Sequence, residues 1–213
     1  SRRGNSYYKL TEYRRAIEDF DEALRLDPGN RTATQNKPSA VAWASNQAQK
    51  YEASAYSHFD RGDYQKAVDH STRAIKLYPQ ASTYLVRGLS YLTLGQHERA
   101  IQDYDEAIRL NPQFFEAYSS RGLYYVALNQ FERAIEDLDE AIKLQPQFFE
   151  AYYSRGLAYD GLGQYRRAKE DYDGARRLDP INFAILTAPV EIAPNAVTLF
   201  SSDSVDSINH SVV

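Results

Sequence analysis

The seven residues PQFFEAY stand at Pro112–Tyr118 and again at Pro146–Tyr152, 34 residues apart, and the chain between the two copies recurs in the same register. Aligned on their prolines, three consecutive stretches ending at Pro112, Pro146 and Pro180 read as versions of one another. A fourth ends at Pro79, and a fifth, ending at Pro28, opens the chain partway through its first helix. A fixed period of this length dictates a repeat architecture. A unit so short cannot bury an apolar face alone, so its core must be built against its neighbours.

With the proline numbered 32 in each unit, two apolar runs of helical spacing flank a break at position 15, occupied by Gly62, Gly95, Asn129 and Gly163. These residue types tolerate the left-handed backbone that follows a helix C-terminus, so each unit is expected to be helix, tight turn, helix. Gly88, Gly122 and Gly156 fall at position 8, inside the first helix. A helical glycine costs roughly 1 kcal/mol relative to alanine. The return expected here is close helix approach, with Ala100, Ala134 and Ala168 at position 20 and Ala107, Ala141 and Ala175 at position 27. Tyrosines at positions 4 and 11 and Leu110, Leu144 and Leu178 at position 30 are expected to fill the remaining volume. Such burial contributes roughly 1.5 to 3 kcal/mol per large side chain.

On these residues the chain resembles the tetratricopeptide repeat family over 1–30 and 48–180. Two departures stand out: tyrosine replaces the usual tryptophan at position 4, and Arg87, Arg121 and Arg155 replace the usual leucine at position 7. The Arg-Gly pair looks like a bacterial style of the repeat. The resemblance implies an all-α solenoid of stacked antiparallel helix hairpins. The expected organisation is a partial unit at 1–30, an irregular segment at 31–47, an array with units at 48–80, 81–114, 115–148 and 149–182, and a tail at 183–213.

The irregular parts carry their own expectations. Pro28 and Pro79 are one and a half periods apart. The extra half-unit reads either as a linker over 31–38 followed by a helix capped by Ser39, with the stripe Val41, Ala44, Ala48, Tyr51, Ala55 and Phe59, or as the junction left by a missing stretch. After position 183 the chain alternates apolar and β-branched residues with Pro189 and Pro194. Pro189 permits at most about two helical turns there. The stretch Phe183 to Leu186 is expected to pack on the last hairpin, with disorder beyond Phe200. An absent Met and a start in mid-repeat read as a fragment.

Catalytic and metal chemistry finds little support in the residue patterns. His58, His70, His97 and His210 lie in different elements with no second ligand at metal spacing and read as surface histidines. There is no phosphate loop, nucleophile elbow or His-Glu metal helix. Recurrent acids on the second helices read as a solvated face. The chain therefore reads as a non-enzyme with no cofactor and no metal. No apolar run reaches membrane-spanning length, the expected location is cytoplasmic, and the lack of cysteine fits a reducing compartment.

One polar pattern is systematic. Arg3, Arg87, Arg121 and Arg155 at position 7 accompany Asp19, Asp103, Asp137 and Asp171 at position 23 and Asp21, Asp105, Asp139 and Asp173 at position 25, whereas the unit ending at Pro79 has Ser54, His70 and Thr72. Each arginine is expected to pair with an aspartate of its own repeat; the alternative is an arginine ladder shown to an acidic partner.

The resemblance also implies a concave groove faced by positions 2, 5, 9 and 12 of first helices. Here these are Ser82, Leu85, Leu89 and Leu92; Glu116, Ser119, Leu123 and Val126; and Glu150, Tyr153, Leu157 and Asp160. Leu89, Leu123 and Leu157 are expected to pack at least partly between helices, leaving Leu85, Val126 and Tyr153 as an apolar strip beside two glutamates. The implied function is a non-catalytic scaffold binding a protein or peptide with apolar anchors flanked by Lys or Arg. Self-association would run through 183–200 or the N-terminal unit. The carboxylate clamp of chaperone-binding relatives is not expected, since Leu, Ser and Glu stand where it needs amide or base. A helical-repeat RNA binder is opposed by the net charge of −4. A docking fragment of a larger enzyme or secretion assembly is the remaining alternative.

Overall fold

The computed structural model describes residues 2–187, with side chains over 13–187. Among the described residues the chain is all-α: α1 (Arg2–Leu26), α2 (Arg31–Asp60), α3 (Tyr64–Leu77), α4 (Ala81–Thr93), α5 (His97–Leu110), α6 (Phe115–Ala127), α7 (Phe131–Leu144), α8 (Phe149–Gly161), α9 (Tyr165–Leu178) and α10 (Pro180–Thr187). They form two compact units, one ending at Gly95 and the other starting at Gln96, so the boundary falls inside the 81–114 repeat. Within each unit, helices that follow one another pack in pairs and each pair stacks on the next.

Chain reversal occurs where the repeat demands it. Asn129 holds φ 57° and the glycines at position 15 hold φ of 70° to 79°. The carbonyls of Val126 and Tyr125 accept from the backbone N–H groups of Asn129 and Gln130, closing α6 as the chain turns. In the first repeat the equivalent residue is Thr11, and α1 runs through it as one 25-residue helix instead of turning. A β-branched residue disfavours the left-handed backbone, so the helix continues.

α2 also departs from expectation. Residues 31–38 are helical, because the Asn30 side chain accepts from the Ala33 N–H at 3.0 Å and caps the helix eight residues ahead of Pro38. An interior proline forgoes one backbone hydrogen bond and costs about 3 kcal/mol. Burial of Ala33, Ala40, Ala44, Ala48 and Ala55 extends a single stripe through it. α1 is held to α2 by Tyr13 stacked on Trp43, with centroids 3.8 Å apart, and by the Lys37–Asp21 ion pair.

The seam within the α6–α7 and α8–α9 hairpins is steric. A Cβ at Gly122 would lie 2.7 Å from Leu138 Cγ, and one at Gly156 would lie 2.5 Å from Tyr172 Cε1. Position 8 is thus emptied for the large residue at position 24 of the second helix, while Ala134, Ala141, Ala168 and Ala175 are buried beside it. Tyr104 and Leu138, both at position 24, are among the largest fully buried side chains. The position-30 leucines contribute less than expected, since Leu110 and Leu178 remain exposed.

α10 starts at Pro180 and runs two turns to Thr187, past the expected boundary at 182. Phe183 meets Tyr153 of α8 edge-on at 6.0 Å, whereas Ile181 and Ile185 stay exposed. The expectations for the tail beyond Thr187 lie outside the described residues.

Candidate interaction surface

In the unit that begins at Gln96, the first helices α6 and α8 lie side by side and present one residue row each. On α6, Glu116 is only 8% exposed, and its Oε2 atom is buried without a hydrogen-bond partner. Ser119, one turn on, is fully buried with its hydroxyl likewise unpartnered. Leu123 and Val126 complete the row, half-buried. On α8 the matching residues are Glu150, Tyr153 and Leu157, all half-buried, and exposed Asp160. Asp160 accepts from the Tyr172 hydroxyl at 2.7 Å, and Tyr153 packs against both Tyr172 and Phe183.

The electrostatics of this face are set by the two glutamates. Burial pushes the Glu116 carboxyl up to about 7. Burial, helped by the charge of Asp179, pushes Glu150 up to about 7 as well. Removal from water disfavours the charged form of a carboxyl, and the hydrogen bond each glutamate takes from its own backbone N–H offsets only part of that. Each glutamate therefore gains from any cation brought to it.

The unit ending at Gly95 corrects the expected apolar strip. Leu85 on α4, expected in that strip, is 7% exposed and offers no anchor; Leu89, expected to be at least partly packed away, is 5% exposed. Ser82 is committed within the chain: its hydroxyl donates to Glu52 at 2.5 Å, and its carbonyl accepts from the Tyr56 hydroxyl at 3.2 Å. Leu92 is half-buried.

Two of the position-7 arginines, Arg121 and Arg155, span two repeats. Arg121 donates from Nε and Nη2 to both carboxylate oxygens of Asp137, at 2.8 and 2.7 Å, and from Nη1 to Asp105 of the preceding repeat at 2.5 Å. Arg155 treats Asp171 and Asp139 the same way, at 2.8, 2.7 and 2.5 Å. The expectation confined each arginine to its own repeat. The guanidinium carries five donors in a fixed fork, so two close on Asp137 or Asp171 while another is left for the neighbouring hairpin. Burial by itself would lower the Arg121 pKa, but the Asp137 and Asp105 carboxylates outweigh it and hold the group charged. Tyr118 lies under Arg121, and Tyr152 and Tyr159 sandwich Arg155, at 5.6 to 5.9 Å. Asp173 pairs instead with Lys169 and Arg176. Arg87 donates to Thr72 at 3.2 Å and lies over Tyr84 and Tyr91; its expected partners Asp103 and Asp105 belong to the other unit.

One constellation escaped the sequence reading. His58 of α2 and His70 of α3, assigned there to separate surface sites, have ring centroids 5.0 Å apart. The repeat register contains the signal, since they occupy positions 11 and 23 of one repeat, on the two helices of its hairpin. Groups of three or more His, Cys, Asp or Glu arranged to hold a metal are absent among the described residues. No described helix is long and apolar enough to cross a membrane.

Known proteins agree with this architecture. A family model described as TPR repeat matches residues 88–128 and 122–163. Models described as tetratricopeptide repeat match 1–30 and 149–182, and 53–81. The crystal structure of MamA is similar at 24% identity and a TM-score of 0.57, over 83% of this chain and 94% of that one. MamA 41-end from Desulfovibrio magneticus RS-1 is similar at 26% identity and a TM-score of 0.56, over 63% and 76%. The Arabidopsis OM64 TPR domain is similar at 24% identity and a TM-score of 0.53, over 55% and 98%. No curated protein matches the chain. With family models covering most of its length and the position-15 turns and position-8 seams in register, the chain belongs to the tetratricopeptide repeat family.

Proposed function

We propose that this chain is a non-catalytic protein-interaction scaffold whose α6 and α8 rows bind an extended or helical peptide carrying an apolar anchor next to Lys or Arg. The observation that carries the reading is the half-buried Glu150 carboxyl on α8, partly withdrawn from water yet still reachable, in the same row as half-buried Tyr153 and Leu157. A buried carboxylate left unpaired is costly, and an ammonium or guanidinium from a partner removes that cost. Half-buried Leu123, Val126, Tyr153 and Leu157 in the same rows supply apolar surface, and family membership supports a role in partner recognition rather than chemistry.

The glutamates give this reading a pH signature. Both carboxyls are pushed up to about 7, so they are largely neutral at pH 6 and charged at pH 8. Binding of a cationic peptide should therefore strengthen as pH rises through 7. The test is selection from a random peptide display library on the full chain at pH 8, followed by affinity measurement on the enriched peptides. Enrichment of apolar residues beside Lys or Arg, with binding lost in Tyr153→Asp and weakened in Glu150→Gln, supports the reading. Enrichment of acidic peptides, or peptides indifferent to both substitutions, overturns it.

A further inference from the structure

The α2–α3 hairpin replaces the arginine–aspartate staple with another set of polar groups: Ser54 stands at position 7, His70 at position 23, and His58 at the position 11 otherwise held by tyrosine. His70 Nδ1 is buried and has no hydrogen-bond partner. His58 lies with its ring 5.0 Å from that of His70, tilted by 41°, and its Nδ1 is 3.3 Å from Asp63 Oδ2. With zinc–nitrogen bonds of about 2.0 to 2.1 Å and a tetrahedral angle, two coordinated imidazole centroids stand roughly 5 to 5.5 Å apart. The observed spacing lies at the lower edge of that range.

We infer that His58 and His70 form a binding site for a late first-row divalent cation such as zinc, with Asp63 orienting His58. The supporting chemistry is consistent at each group. A ligating histidine characteristically gives its other ring nitrogen to a carboxylate, which fixes the tautomer; Nδ1 of His58 on Asp63 leaves Nε2 to bind metal. Asp63 precedes α3 as its N-cap residue, but its side chain makes no capping bond and instead holds His58 and Lys66. His58 is half-buried, so the remaining coordination positions are open to water or to a donor from a partner. The site is independent of the peptide-binding reading, because its groups all lie in the other unit.

The test is calorimetric titration of the full chain with zinc chloride at pH 7.5, alongside His58→Gln, His70→Gln, Asp63→Asn and His97→Ala, each first checked for helical content. The expected result is one zinc per chain, binding lost in both glutamine variants, affinity reduced about 10- to 100-fold in Asp63→Asn, and no change in His97→Ala. A rise in wild-type melting temperature with zinc that is missing from His58→Gln gives a second readout. No binding at millimolar zinc, or binding that survives in either glutamine variant, overturns the inference.

Discussion

Two hairpins built on the same backbone, α2–α3 and α6–α7, solve the same packing problem with different side chains. At positions 8 and 24 the second uses Gly122 with Leu138, and α8–α9 uses Gly156 with Tyr172. The first uses Ala55 with Ser71, both fully buried. The volume given up on one helix is taken up on the other. At positions 7 and 23 the second hairpin has a bidentate arginine–aspartate pair, while the first has Ser54 and His70. The shared elements are the alanines Ala67, Ala74, Ala134 and Ala141 and the left-handed residue at the turn. Those define the hairpin, and the polar staple is an addition that each repeat chooses.

The sharpest way to break this comparison is Arg121→Ala. It strands Asp137, a buried carboxylate, and removal of one member of a buried pair costs about 3 to 5 kcal/mol. Urea denaturation should show a loss of that size, whereas Ser54→Ala, at the same position of the other hairpin, should stay near zero; equal effects would mean that the staple is not what distinguishes the two. Next comes Glu116→Gln, compared with exposed Gln49, its counterpart on α2. The folded carboxyl titrates near 7 and the unfolded one near 4.5, so the folded state holds the extra proton between those values. Its stabilising effect is complete below pH 4.5 and disappears as pH rises through 7. Wild-type stability should fall by on the order of 2 to 3 kcal/mol from pH 5 to pH 8 relative to the glutamine variant, read from urea midpoints at each pH.

Gly122→Ala forces a Cβ into Leu138 and should cost about 1 to 3 kcal/mol before the helical gain of about 1. Gly122→Ala combined with Leu138→Ser, the pair used by α2–α3, should relieve the clash itself at the cost of a buried leucine. A double-mutant cycle showing no coupling would sink the volume-exchange account. The smallest effect is expected for Asp139→Asn, about 0.2 to 1 kcal/mol, since that carboxylate is half in solvent and Arg155 keeps Asp171.

Much of this was legible in the sequence, for reasons that can be named. The residue at position 15 must tolerate a left-handed backbone, and each Gly or Asn there marks a turn. Thr11 at the same position lacked that tolerance, and α1 has no turn. Pro38 read as a helix boundary because proline forgoes a hydrogen bond, but that local penalty was outweighed by the Asn30 cap and the alanine stripe, whose burial depends on α2 meeting its neighbours α1 and α3. Burial of Leu85 was hidden for a related reason: a period says which face of a helix points inward, and only packing says how deeply. His58 and His70 meet because a helix hairpin folds back on itself, a relation that spacing along the chain does not show. The arginine that reaches back to the preceding repeat could not be distinguished from one that stays within its own, because both aspartates vary together.

That reach has a consequence for how such a chain can change over time. Arg121 and Arg155 each tie their own hairpin to its predecessor, so excising or transposing one hairpin leaves an exposed donor on one side of the cut and an abandoned acid on the other. A duplication in whole 34-residue steps restores the link automatically, and any other rearrangement does not. The faithful spacing of PQFFEAY is what such a bookkeeping of charges would select.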